Sequence, residues 1–362
     1  MAELAVVGQD PRFGGGAHAH MQAFLDAATA LGHDPELLFV PHPTLRPEER
    51  MSPLDRVEAL RILRGSRALV PRVRAARSAW VVATLAMHGW AALRSGRPYA
   101  CWVGTSLADE RRGRLPGLRP SRRLAAHANT PVLGALERRV LRGAARVYAT
   151  SPASREAVAR AAGTDPGTVG ILPLPVDVDV FSPEPDDTWL ARLERPVLTV
   201  VGRADDPRRN LALAIDAFRL VRARIPDATL RIVGARPPLG LPDGVEALGE
   251  VESVAAPLRE SSLLLLPSRQ EGFGIAAAEA LACGVPVVST PSGGPEDMLR
   301  RSGGGVVVDG WTPEAFAGAV VELLEDAATL AAMRRRGRDH VVREHAPARL
   351  RELLAAAFEE TG

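Results

Sequence analysis

The sequence predicts an α/β protein built as two open parallel sheets, each covered by helices. Three observations carry this. At 362 residues the chain is too long for one ordinary core and suits two domains of about 100–200 residues. Short runs rich in Val, Ile and Leu alternate with Ala-, Leu- and Arg-rich stretches of helical length, as strands and crossover helices do in a parallel sheet. Pro173, Pro175, Pro183, Pro185 and Pro196 fall within 24 residues, where neither a helix nor a central strand continues, and the alternation restarts beyond them. The expected layout is a domain over 1–172, a linker over 173–196, a second domain over 197–345 and a final helical segment over 346–362.

In the first half, Leu4–Gly8 reads as a strand and Phe13–His18 as a glycine loop. Ala17–Leu31 reads as a helix closed by Gly32. Leu37–Val40 is the next strand, and residues 54–93 read as helical with a break at Pro71. Tyr99–Val103 and Arg146–Thr150 are strands. Thr150, Ser151 and Ser154 supply N-cap hydroxyls for a helix over Arg155–Ala162, and Val169–Leu172 is the last strand. In the second half, strands are expected at Val197–Val201, Thr229–Val233, Val245–Leu248, Leu263–Pro267, Val285–Ser289 and Val306–Val308. Helices are expected at Leu211–Arg224, Ser253–Ser261, Ile275–Cys283 and over 313–325, 328–344 and 347–359. Ligands of such sheets sit at the carboxyl ends of the strands, so two sheets facing each other would gather those ends around one interdomain cleft.

Composition removes several chemistries. The chain has no lysine, which excludes a Walker P-loop, a pyridoxal Schiff base and a protein kinase. All 45 basic residues are arginine, a bias that fits a GC-rich genome. Cys101 and Cys283 are too few and too far apart for a disulfide framework or a four-cysteine zinc site, which points to a reducing cytoplasm. The first ten residues carry Glu3 and no basic stretch, unlike a secretory signal, and the apolar run Ser78–Leu93 falls short of the ~20 residues of a spanning helix. Charge is uneven: residues 51–150 hold 19 Arg against 5 acids, a net of +14 within a chain of net +2. Such a block either meets an anionic membrane surface or phosphorylated acceptor, or is a solvated helical face.

The richest segment is Pro267–Pro291, PSRQEGFGIAAAEALACGVPVVSTP. A strand leads into Glu271-Gly272-Phe273-Gly274 and then into an alanine-rich helix from Ile275. The glycines let backbone N–H groups approach a ligand, and the helix N-terminus favours a phosphate or the hydroxyl-rich edge of a sugar. Glu271 and Glu279, eight residues apart, lie on the order of 10 Å apart along a helix axis, suited to gripping the two ends of a long ligand. Glu279 sits among Ala276, Ala277, Ala278, Ala280 and Leu281, where an unpaired charge is costly, so it needs either a ligand or a partner arginine. After the first strand of the second half, Arg203 and Arg209 stand where they would neutralise a diphosphate, unless they cap neighbouring helices. Gly15 and Gly16, in Phe13-Gly14-Gly15-Gly16-Ala17-His18, form a glycine turn at a helix N-terminus but not a dinucleotide fingerprint. His18, His20, His33 and His42 show no metal-ligand spacing, so no metal site is expected.

These residues resemble the retaining glycosyltransferases of family 4, which have the GT-B fold of two Rossmann-like parallel-sheet domains facing an interdomain cleft. The glycine loop with His18, the LPLPVDVDVFSP linker, the VGR…RRN…AF block and, above all, EGFGIAAAE before ACGVPVVST carry the resemblance across nearly the whole chain. It implies a nucleotide-diphosphate sugar as donor and no cofactor or metal ion. Arg203 and Arg209 would hold the diphosphate, although the family usually has lysine at the second position. Glu271 with the N–H groups of Gly272, Phe273, Gly274 and Ile275 would hold the donor sugar. Glu279 would hold the ribose, and Gly15 and Gly16 would close on the phosphates from the first domain. The implied mechanism is front-face displacement with retention, the leaving diphosphate accepting the acceptor's proton. The last helix would cross back to the first domain, and closure about the linker would complete the site. One departure stands out: many members have a histidine where this chain has Gly104, which puts the usual hexose donor in doubt. The expected acceptor is a glycan, a lipid-linked glycan or a small molecule, and no nucleic acid partner is expected. A nucleotide-sugar epimerase or hydrolase, or a non-catalytic binding module of the same fold, are the competing readings.

Overall fold

A computed structural model describes residues 3–13, 15–42, 57–234 and 240–361. The chain divides into two compact units, Met1–Pro175 with Pro347–Gly362, and Val176–Ala346.

The first unit follows the chain as β1 (Leu4–Gly8), α1 (Gly15–Ala30), β2 (Pro35–Phe39), α2 (Glu58–Ala75), β3 (Ser78–Ala83), α3 (Trp90–Ser95), β4 (Ala100–Val103), α4 (Leu107–Arg114), α5 (Pro120–Gly143), β5 (Arg146–Ala149), α6 (Pro152–Ala162) and β6 (Val169–Ile171). All neighbouring strands are parallel, in the order β2-β1-β3-β4-β5-β6. Strand β3 corrects the expectation of helix over 54–93, of which 54–56 lie outside the described residues. Helix α2 runs through Pro71, but Ser-Ala-Trp-Val-Val-Ala then forms a buried strand between β1 and β4. Trp80, Val81 and Val82 suit a pleat covered on both faces, and that pairing outweighs the helix formers flanking them. Helices α4 and α5 went unread, and Ser151 caps α6 by accepting the Ser154 N–H at 3.0 Å.

The last helix of the chain, α14 (Pro347–Thr361), belongs to this first unit. Its Phe358 packs on Trp80 at 5.3 Å and Phe24 at 6.1 Å, and Tyr148 on β5 donates to its Glu360 at 2.9 Å. Burying these rings makes the final turns part of the first sheet's core.

The second unit contains α7 (Asp186–Arg192), β7 (Val197–Val201), α8 (Leu211–Arg224), β8 (Thr229–Val233), β9 (Val245–Gly249), α9 (Ala255–Arg259), β10 (Leu263–Leu266), α10 (Ile275–Ala282), β11 (Val287–Ser289), α11 (Gly294–Ser302), β12 (Gly305–Val307), α12 (Pro313–Glu325) and α13 (Ala327–Glu344). Its strands are again parallel, ordered β12-β11-β10-β7-β8-β9. Trp189, Phe218 and Phe316 anchor its core.

The proline-rich stretch differs from the linker read from sequence. From Val176 onward it is packed into the second unit by two arginines of α13. Arg334, 4% exposed, donates to the Gly284 carbonyl at 3.0 Å, to the Glu184 carbonyl and to Asp186 at 2.9 Å, and its guanidinium lies 5.0 Å from the Trp189 ring. Arg338 donates to the carbonyls of Phe181, Ala282 and Val178. Prolines leave carbonyls without a local partner, and the planar guanidinium forks satisfy several of them at once.

The second sheet has a topological switch point. From β7 the chain winds outward through β8 and β9, then returns to lay β10 on the other side of β7. The connections leaving β7 and β10 therefore diverge and open a crevice at their carboxyl ends, where ligands of open α/β sheets bind. In the first unit the equivalent point lies between β1 and β3.

Candidate functional site

The segments that leave β7 and β10 carry the residues singled out above. After β7, Gly202 leads to Arg203 and then to a tight turn at Pro207–Arg209, capped by Asp206, whose carboxylate accepts the Arg208 N–H at 3.1 Å. Asp206 also holds the Arg208 guanidinium at 2.7 Å, which turns that arginine aside. Arg203 remains half exposed, 3.5 Å from Asp205. The Arg209 side chain lies against Gly202, where an added Cβ would stand 3.1 Å from its Nε.

After β10, the Ser268 hydroxyl donates to Glu271 Oε1 at 2.8 Å, and Arg209 forms an ion pair with the same oxygen. Glu271 and Arg209 thus meet across the switch point, with side chains 11% and 24% exposed. The sequence reading gave them separate parts of a ligand; in the structure the opposite charges that β7 and β10 bring to one edge neutralise each other. The backbone of Glu271 is fixed as well: its N–H donates to the Ser292 carbonyl at 2.7 Å and its carbonyl accepts the Gly294 N–H at 3.1 Å. Arg269 joins the two segments again, through its N–H to the Arg208 carbonyl at 2.7 Å and its side chain to Asn210 at 3.0 Å.

Two glycines are required here. Gly274, the residue before α10, has φ +86°, a left-handed backbone open to glycine at little cost. A Cβ on Gly294 would lie 2.3 Å from the Gly272 carbonyl, so only glycine permits the two loops to approach this closely. In α10 the first bonds run from the N–H groups of Ala277 and Ala278 to the Gly274 carbonyl, leaving those of Ile275 and Ala276 at the open end of the helix. The Phe273 ring is turned away and buried, edge-on to His345 at 5.3 Å.

Glu279 lies in the fifth position of α10, among buried Ala276, Ala277, Ala278, Ala280 and Leu281. The residue is half-buried, its side chain has no hydrogen bond or ion pair among the described residues, and desolvation pushes its carboxyl up to about 8. The partner arginine that the sequence left open is not there. Ser292 supplies a second such group: its hydroxyl is buried beside Glu271 without a hydrogen-bond partner among the described residues.

The second unit thus gathers Arg203, Arg209, Glu271 and the Gly272–Ile275 backbone at the carboxyl edge of its sheet, with Glu279 farther along α10. Gly15 and Gly16 open α1 in the first unit, Gly15 with φ +61°, while Gly14 lies outside the described residues. Gly104 follows β4, and its carbonyl accepts from Ser154 at 2.6 Å and Thr150 at 3.2 Å. A Cβ there would meet nothing closer than 3.4 Å, so the absence of a side chain is not forced by crowding. Ser268, Ser292 and the Gly293-Gly294 turn were missed in the sequence. The Gly-Gly-Pro-Glu run was the available signal, since Glu296 reaches back to accept the Gly293 N–H at 2.8 Å, the one half of a capping box that a glycine N-cap allows.

Two doubly wound Rossmann-like units, the second with arginines and carboxylates at its switch point, place the molecule in the GT-B class of α/β proteins. The family model "Glycosyltransferase Family 4" matches residues 14–180, and "Glycosyl transferases group 1" matches 195–326. The chain belongs to glycosyltransferase family 4. It is 36% identical over 216 residues to a GDP-mannose-dependent alpha-(1-6)-phosphatidylinositol monomannoside mannosyltransferase of Mycolicibacterium smegmatis, covering 52% of this chain and 56% of that one. It is 32% identical over 201 residues to a D-inositol 3-phosphate glycosyltransferase of Segniliparus rotundus, covering 49% and 44%. The chain therefore spans only about half the length of these curated relatives. Among solved structures, sucrose-phosphate synthase from Thermosynechococcus elongatus superposes with TM-score 0.78 at 19% identity, and Anabaena HepE in complex with UDP with 0.74 at 18%, each over 99% of both chains. Both likenesses concern the fold.

Proposed function

We propose that the chain is a retaining glycosyltransferase that moves a sugar from a nucleotide-diphosphate sugar to a hydroxyl acceptor without a metal ion. The acceptor is a glycan, a lipid-linked glycan or a small molecule. The observation that carries the reading is Glu279, a half-buried acid whose side chain has no partner among the described residues, on the helix that starts at Ile275. A carboxylate in such a place is satisfied by donors from outside the chain, and vicinal ribose hydroxyls are donors of that kind. Arg203 and Arg209 receive the diphosphate. The N–H groups that open α10, together with Glu271, receive the sugar. Positive charge aimed at the leaving diphosphate stabilises it as the glycosidic bond breaks, and the diphosphate oxygen takes the acceptor's proton, so no side chain is needed as general base. The names of the relatives support GDP- and UDP-linked donors and inositol-containing acceptors as the first to test. We place the activity in the cytoplasm, with peripheral contact to an anionic membrane surface. Among the described residues, no helix is long and apolar enough to cross a membrane.

Incubation with GDP-, UDP- and ADP-linked sugars in the presence of EDTA tests the reading. Release of the nucleoside diphosphate is expected for at least one donor, with the anomeric configuration kept. Arg203→Ala and Glu271→Ala are each expected to lower turnover by at least about tenfold, the order of one lost charge-assisted contact. Wild-type rates in both variants would reject the site, and saturable binding without turnover would reject catalysis.

A further inference from the structure

The two most exposed large apolar side chains among the described residues, Leu124 at 72% and Val132 at 49%, stand on one helix, α5. They are eight residues apart, about two turns, and so share a side of the helix on which Ala128 is also exposed. Leu133, Leu136, Val140 and Leu141 bury the opposite side. Residues 111–136 contain six arginines and no acid. Of these, Arg119, Arg122 and Arg123 are exposed beside Leu124 and make no ion pair among the described residues.

An apolar ridge flanked by unpaired arginines matches an anionic lipid surface: the ridge enters the acyl boundary and the guanidinium groups stay among the phosphates. A second copy of the chain is disfavoured, because two-fold pairing on this face would set arginines against arginines. We infer that the outward face of α5, centred on Leu124 and Arg122–Arg123, docks the protein on anionic bilayers. The inference names the surface behind the membrane contact proposed above, and it is independent of the transfer reaction. A chain that turns over no nucleotide sugar would still bind vesicles, and an active chain that binds none would leave the donor site untouched.

Vesicle sedimentation of the full chain decides it, comparing phosphatidylcholine alone with phosphatidylcholine containing one third phosphatidylglycerol. Partition onto the anionic vesicles is expected, weakening as salt rises. The double variant Arg122→Glu, Arg123→Glu should lower the partition coefficient by about 25-fold or more, taking each charge near the surface as about fivefold. Leu124→Ser keeps every charge and should lower it about fivefold through lost apolar insertion. All three positions are exposed, so unchanged circular dichroism and melting would assign the loss to docking. The same reversal at Arg219 and Arg224 of α8, in the other unit and outside the proposed face, should leave partition within about twofold. Equal binding to both vesicle types, or α5 variants that bind like wild type, would overturn the assignment. So would capture by polyglutamate with no vesicle binding, which would assign the face to an acidic protein.

Discussion

Replacing Glu271 by Gln should tighten the binding of a nucleoside diphosphate while lowering transfer. In the structure Arg209 is held by Glu271, and both are mostly shielded from water. A diphosphate that uses Arg209 must displace this carboxylate, so part of its binding free energy goes into breaking the pair. A hydrogen bond to a charged group contributes about 1.5–3 kcal/mol, and the Gln amide oxygen retains some of it. The net gain for the ligand is then about 1.4 kcal/mol, a roughly tenfold lower Kd. Ser268 still donates to the amide oxygen at position 271, so the loop keeps its geometry. Titration calorimetry with GDP, UDP and ADP on wild type and variant measures the change, and turnover with the matching sugar nucleotide measures the loss. Nucleoside diphosphate affinity that is unchanged or weaker in Glu271→Gln would refute competition for Arg209. Failure of both proteins to bind any of the three would instead refute the donor site.

Two further outcomes concern stability. Burial holds the Glu279 carboxyl protonated up to about 8, whereas in the unfolded chain it ionises near its ordinary 4.5. The native state thus binds the extra proton between those values, and stability falls as pH rises through that window, by about 5 kcal/mol at most. Glu279→Gln has no proton to lose, so its Tm should match wild type at the acid end and exceed it increasingly toward the alkaline end. Parallel Tm curves would sink the argument. Arg334→Leu removes the donors of the Gly284 and Glu184 carbonyls and the partner of Trp189, and should cost about 3 kcal/mol in urea unfolding; a loss below about 1 kcal/mol would mean that water replaces those bonds.

The second unit was the more legible half. Leu211–Arg224 and Thr229–Val233 lie where periodicity and composition put them, because each is bounded by a turn residue and has one clear apolar face. Ser78–Ala83 was missed because its β-branched residues sit between alanine-rich stretches that keep a helical rhythm, and only pairing with β1 and β4 decides the matter. Local chemistry marked Glu271, Glu279, Arg203 and Arg209 through residue type and spacing. It did not reveal that Arg209 and Glu271 join, since their contact spans 62 positions and depends on β10 returning beside β7. For the same reason nothing local marked Arg334 and Arg338 of α13, since the carbonyls they satisfy lie 50 to 160 positions earlier in the chain.

The second unit is one unbroken stretch, whereas the first is completed only by α14 at the end of the chain. Where the chain enters and leaves that stretch, the Val176 N–H donates to the His345 carbonyl at 2.7 Å. An insert with such closely tied ends can be excised and its host rejoined by a short bridge. It also sets the order of events at the ribosome: the later-coded body is whole before the earlier one, which waits with Phe24 and Trp80 uncovered until Phe358 emerges.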